Sequence, residues 1–153
     1  MRSPADHAAD LRDQSATALA AKLRSATDSI ARLLSTLDDT GWRAPSSVPG
    51  LTVGQGVHTL LSDAYIHGDD IRAAFGQGSD RGPGLCASLD WVLGALARDD
   101  AATADSHIAR LLTVPAAAFR ATTGIDEHDF LLAATGRFDA ARLNLPEIVN
   151  IYR

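Results

Sequence analysis

The chain has 153 residues, 46% of them hydrophobic, which is enough for one domain with a real core and too ordinary a composition for a disordered chain. Its formal net charge is −5, Lys22 is the single lysine, and the acids are almost all Asp. No basic stripe offers itself to a phosphate backbone, so nucleic-acid binding is not expected. No apolar run approaches the ~18 residues of a membrane span, no charged-then-apolar leader opens the chain, and the lone Cys86 cannot form an internal disulfide. These features predict a cytoplasmic protein with no membrane partner.

The first element is a helix predicted over about residues 4–38, on the order of 50 Å at ~1.5 Å per residue. Ser3 stands at its N-cap, Pro4 at its first position and Asp6 near the positive end of its dipole. Leu19, Leu23, Ala26, Ile30, Leu33 and Leu37 then alternate at spacings of four and three, the seam of a helix in a bundle. Gly41 follows as a terminator, and W-R-A-P-S-S-V-P-G is a loop.

A second helix opens at Thr52, whose spacing to Gln55 is that of a capping box, and closes at Phe75-Gly76. Val53, Val57, Leu60, Ala64 and Ile71 predict its buried face. A third helix is predicted from Pro83 to Arg98, with Cys86 a buried thiol near its start, and a weaker fourth over 101–112. T-V-P-A-A-A-F-R is a short strand or irregular. D-E-H-D-F-L-L-A-A-T-G is a short helix capped by Asp126 and ended by Gly136, and the closing V-N-I-Y is strand-like. The chain therefore divides into a helical body, 1–112, and a small C-terminal segment, 113–153, packed on it within one domain.

The residues with chemistry to offer lie in S-D-A-Y-I-H-G-D-D-I, residues 62–71. Asp63 and His67 are one turn apart beside the predicted apolar stripe. A carboxylate and an imidazole at i and i+4 are apt ligands for a divalent cation, because the helix fixes their separation. The same spacing also suits a plain hydrogen-bonded pair at a helix edge. His58, nine residues before His67, faces the opposite side and reads as surface. The pair His128-Asp129 reads as cap and surface, and Asp69 and Asp70 as solvated, Asp70 with Arg72 or a neighbouring helix as a candidate partner. Serine-hydrolase elbows, P-loops and dinucleotide fingerprints are absent from the sequence.

The run P-G-L-T-V-G-Q-G-V-H-T-L-L-S-D-A-Y-I-H-G-D-D-I-R-A-A-F-G resembles the third-helix region of the mycothiol-dependent maleylpyruvate isomerase family, of the DinB-like four-helix-bundle superfamily. The family signature there is an acidic residue, three residues and His, then an Asp-hydrophobic pair and Ala-x-Gly, matched by Asp63, His67, Asp70-Ile71 and Ala74 to Gly76. F-L-L-A-A-T-G-R is similar to the family's C-terminal Leu-rich helix ending in Gly-Arg, here Gly136-Arg137. The resemblance implies a mostly α, up-down DinB-like bundle with a short irregular or α+β C-terminal segment. It implies a divalent metal, usually zinc, held by Asp63, His67 and a histidine from an earlier helix, and a metal-activated small thiol, mycothiol, serving isomerisation or S-transfer. Arg137 would contact an anionic substrate or the thiol cofactor.

One element of the family pattern has no counterpart. His7 is the only histidine before residue 58, and its S-P-A-D-H context does not match the family's first ligand. The third ligand is then absent, or supplied by a second chain, or the site is dead. The first helix resembles only the later half of the family's N-terminal region, which would leave an apolar face for a homodimer to cover. The alternative function is a non-catalytic helical binding or dimerisation module.

Overall fold

The computed structural model describes residues 15–153, so the expected Ser3–Pro4–Asp6 helix start and His7 lie outside the described residues. Among those described there are eight α-helices, three 3-10 turns and no strand, only an isolated bridge between Pro45 and Thr52. The chain forms two compact units, one ending at Ala44 and the other Pro45–Arg153. The division falls at 44/45 and not at 112/113, because the segment after 112 buries its side chains in the same core as the helices before it.

In the first unit α1 spans Ala16–Leu34, and the Ala18 N–H donates to Ser15 Oγ at its start. It ends four residues earlier than the expected 38. Asp38 then caps a separate short helix, α2 (Asp39–Arg43), accepting from the Gly41 N–H at 2.7 Å. Gly41 thus lies inside a helix instead of ending one. Leu19, Leu23 and Leu33, the seam residues, are exposed.

In the second unit α3 spans Val53–Ala74 and carries the full capping box: Gln55 N–H donates to Thr52 Oγ1, and Thr52 N–H to Gln55 Oε1. A proline at the first turn opens α4 (Pro83–Leu96). The weak fourth element divides into α5 (Asp100–Ala104) and α6 (Ser106–Leu111), because the Asp105 side chain accepts from the His107 and Ile108 N–H groups and starts a new helix. After Pro115 come a 3-10 turn (Ala116–Ala118) and α7 (Phe119–Thr123), where a strand or irregular stretch was expected. The predicted helix with Asp126 as cap is α8 (Glu127–Ala134), and Gly136 past its end takes φ +72°. The closing V-N-I-Y is not a strand: Glu147–Val149 is a 3-10 turn, and the Ile151 N–H donates to Ala134 O at 2.9 Å.

α4 is the centre of this unit. It packs along α3 on one side and against α8 on the other, with Leu89, Val92 and Leu96 fully enclosed. Phe119 and Phe130 complete the core, ring centroids 4.8 Å apart; burying each such side chain contributes roughly 2–3 kcal/mol. α3 and α4 approach closely where Tyr65 meets Gly84: a Cβ on that glycine would sit 3.1 Å from Tyr65 Cδ2.

The face by which α3 packs is the main correction to the sequence reading. Gly54, Ser62, Tyr65, Ile66 and Asp69 are buried. Leu60 and Ile71, expected inside, are 44% and 62% exposed. The two sets lie on opposite sides of the helix at ~100° per residue. α3 has an apolar stripe on each side, and the side that turns inward is the one whose polar groups find partners there.

Candidate functional site

Two constellations grow from α3. The inner one joins α3 to α8. His128, at the start of α8, is buried, with Nε2 2.8 Å from Ser79 Oγ and 3.3 Å from Asp69 Oδ2. Its Nδ1 lies 3.2 Å from the Tyr65 hydroxyl. Each ring nitrogen thus has a hydroxyl within hydrogen-bond distance, Ser79 at Nε2 and Tyr65 at Nδ1, and the Asp69 carboxylate stands beside Nε2. Burial, and next the nearby Asp69 charge, push the Tyr65 hydroxyl up to about 12, so it stays a donor at neutral pH. Asp69 Oδ1 and Ser62 Oγ are buried without a partner. The network ties α3, the loop at Ser79 and the start of α8 together. The sequence reading placed both Asp69 and His128 on the surface. The usable signal was position: Asp69 follows Ser62, Tyr65 and Ile66 at helical spacing, while Asp70 lies ~100° further round.

The outer constellation holds the residues singled out from sequence. Asp63 and His67 are exposed on the other side of α3, one turn apart, the His67 side chain 70% accessible. They do not aim into the core. His67 Nδ1 is 3.3 Å from Asp70 Oδ2, which leaves Nε2 facing outward. Asp70 is in turn gripped from beyond the end of α8 by Arg137, whose Nε and Nη2 each donate at 2.8 Å to its two carboxylate oxygens. The Arg137 fork, before anything else, lowers the Asp70 carboxyl below its ordinary range, and the same contact raises Arg137. Arg137 Nη1 donates to Thr135 O at 3.3 Å. Thus Arg137 addresses Asp70, and of the two partners expected for Asp70, Arg72 or a neighbouring helix, it takes the second kind, from beyond the end of α8. Asp63 has no ion pair or hydrogen bond among the described residues.

A metal ion would find two of its customary donors here: the Asp63 carboxylate and the outward His67 Nε2, whose ring is oriented through the other nitrogen by a carboxylate, as metal-binding imidazoles generally are. Among the described residues no three His, Cys, Asp or Glu side chains gather closely enough to hold an ion.

His58, read as surface, is half-buried, and its Nδ1 is enclosed without a partner. It lies beside a cavity of about 250 Å³ shared with Leu51, Gln55, Asp90, Trp91 and Arg98. The Trp91 indole N–H donates to Thr59 Oγ1 at 2.8 Å. The expected opposition of His58 and His67 around the helix holds, but it is His58 that turns inward. Cys86, expected buried, is exposed. Among the described residues no helix is long and apolar enough to cross a membrane. Comparison with family models, with curated proteins and with solved structures finds no match to this chain.

Proposed function

We propose that the chain is a metal-dependent, mycothiol-linked isomerase or S-transferase of the DinB-like bundle type, or a degenerate relative of one, with its ion held in part by Asp63 and His67. The observation that carries this reading is the state of His67: one ring nitrogen occupied by Asp70, the other open, and an unpaired carboxylate one turn away. Zinc suits one nitrogen and one oxygen donor, and when bound it would supply the positive charge that makes a thiolate at neutral pH.

The chain's own residues divide the remaining work. Asp70 holds the imidazole in the tautomer that presents Nε2, and Arg137 holds Asp70. Arg137 is first a positioning residue. Its contact with an anionic substrate, implied by resemblance, would fall to Nη1, whose 3.3 Å bond to Thr135 O is the longest the guanidinium makes. A reducing cytoplasm, where mycothiol and Cys86 stay as thiols, is the setting this reading implies.

A second reading, a non-catalytic binding or dimerisation module, is favoured by a separate observation: Leu60, Leu61, Ile71 and Phe75 are all exposed on or beside the same side of α3. Metal analysis of protein purified without chelator separates the two. The first expects zinc that is lost in His67→Ala; zinc-free protein, unable to take up zinc on titration, sinks it and leaves the second.

A further inference from the structure

We propose that the cavity between the start of α3 and the later half of α4 binds a small zwitterion with an apolar body, in chemical class an apolar α-amino acid. His58, which lines it, is ~180° round α3 from His67, so the site is separate from the metal reading above and does not rest on it. The cavity measures about 250 Å³. A cavity of about 150 Å³ already holds a benzene molecule, which leaves room here for one ring and a charged end.

One wall of the cavity is apolar and fixed. The Trp91 indole N–H donates to Thr59 Oγ1 at 2.8 Å, and the Thr59 hydroxyl donates to the Gln55 main-chain carbonyl at 3.0 Å. Helix α3 thus absorbs the polar end of the ring, and what the ring offers the cavity is carbon. Leu51 adds a second apolar surface, and Gly94 leaves the floor without a side chain.

The charges select the class of ligand. Asp90, Gly94 and Arg98 follow one another at intervals of four residues, along one face of α4 and just past its end. Arg98 folds back over Gly94, with Nη1 3.5 Å from where a Cβ on that glycine would stand. This carries the guanidinium toward Asp90, one turn further back. The two nevertheless form no ion pair, and neither bonds to any other described residue. A ligand with a single charge meets one of these groups as a partner and the other as an opponent. A ligand with both charges, an ammonium for Asp90 and a carboxylate for the Arg98 fork, meets two partners. The facing helix adds polar capacity. Gln55 spends its side-chain oxygen on the Thr52 N–H, which leaves its NH2 to donate. His58 Nδ1 is enclosed without a partner, so Nε2 is the ring nitrogen that a ligand reaches.

The test is calorimetric titration of the full chain with L-phenylalanine, phenylacetate and phenethylamine, with chelator present so that no metal takes part. L-Phenylalanine is expected to bind at one site per chain, and the two single-charge probes at least tenfold more weakly. Arg98→Gln should weaken L-phenylalanine at least tenfold without weakening phenethylamine. Asp90→Asn should weaken it equally without weakening phenylacetate. Both positions are exposed, and circular dichroism checks that the fold is kept. In a Trp42→Phe background Trp91 is the single tryptophan, and its fluorescence should change with L-phenylalanine over the same concentration range.

Phenylacetate or phenethylamine binding as tightly as L-phenylalanine overturns the zwitterion, since one charge then suffices. Binding that neither Arg98→Gln nor Asp90→Asn weakens lies elsewhere on the molecule and overturns the site. The absence of binding at about 10 mM L-phenylalanine overturns it as well.

Discussion

The two sides of α3 invert the usual rule for an amphipathic helix. The inner side carries Ser62, Asp69 and the Tyr65 hydroxyl into the protein, while the outer side leaves Leu60 and Ile71 in solvent. The inner side can afford its polar atoms because α8 brings His128 to meet them and Gly84 makes room for the Tyr65 ring. The outer side has apolar groups that no other helix of the second unit covers, and an orderly chain of polar contacts beside them. A side selected only for solubility would show the reverse. The difference teaches that polarity alone does not tell inside from outside on a helix of this kind; the supply of partners does.

The comparison is broken most severely from within. His128→Ala removes the one group that answers Asp69, leaving a buried carboxylate unpaired, and should cost about 3 kcal/mol in urea unfolding. Replacing both by leucine should recover most of that loss, since a well-packed apolar pair is often as stable as the buried polar one it replaces. A double variant as unstable as the single one would mean that the network contributes more than the removal of an orphan charge.

A smaller effect sharpens the same side. The Tyr65 hydroxyl, held up to about 12, stays neutral in the fold where the unfolded chain ionises near 10. Its contribution is fully present below pH 10 and is lost as pH rises from there through about 12. Alkaline unfolding should therefore show a fall in stability across that window that is absent in Tyr65→Phe.

The outer side should respond least. Ile71→Ser and Leu60→Ser should each change stability by no more than about 0.5 kcal/mol in urea unfolding, as surface substitutions do. A loss of 2 kcal/mol or more at either would show that the stripe is already covered in solution.

Local chemistry announced most of the helices. Thr52 with Gln55, Pro83 at a first turn and Asp126 with Gly136 are signals complete within a few residues, and each stands where it was read. The failures are tertiary. The face of α3 was misread because Val57, Leu60 and Ile71 make a better stripe on paper than Ser62, Tyr65, Ile66 and Asp69, and only the arrival of α4 and α8 decides between them. His128 was passed over because its partners lie 49, 59 and 63 positions away, at Ser79, Asp69 and Tyr65. Asp63 and His67 were legible as a pair from spacing. That Asp70 and Arg137 stand behind them was not, since 67 residues separate the two.

Gly136 connects these distant parts. Its left-handed turn swings the chain so that the next residue reaches across to α3, and the space where a side chain would stand is occupied by the Asn150 amide, 3.1 Å from an added Cβ. The angle of an imidazole on one helix is thereby governed from the foot of another, through a lever whose fulcrum has no side chain at all. Any larger residue at that fulcrum would be felt first at the far end of the arm.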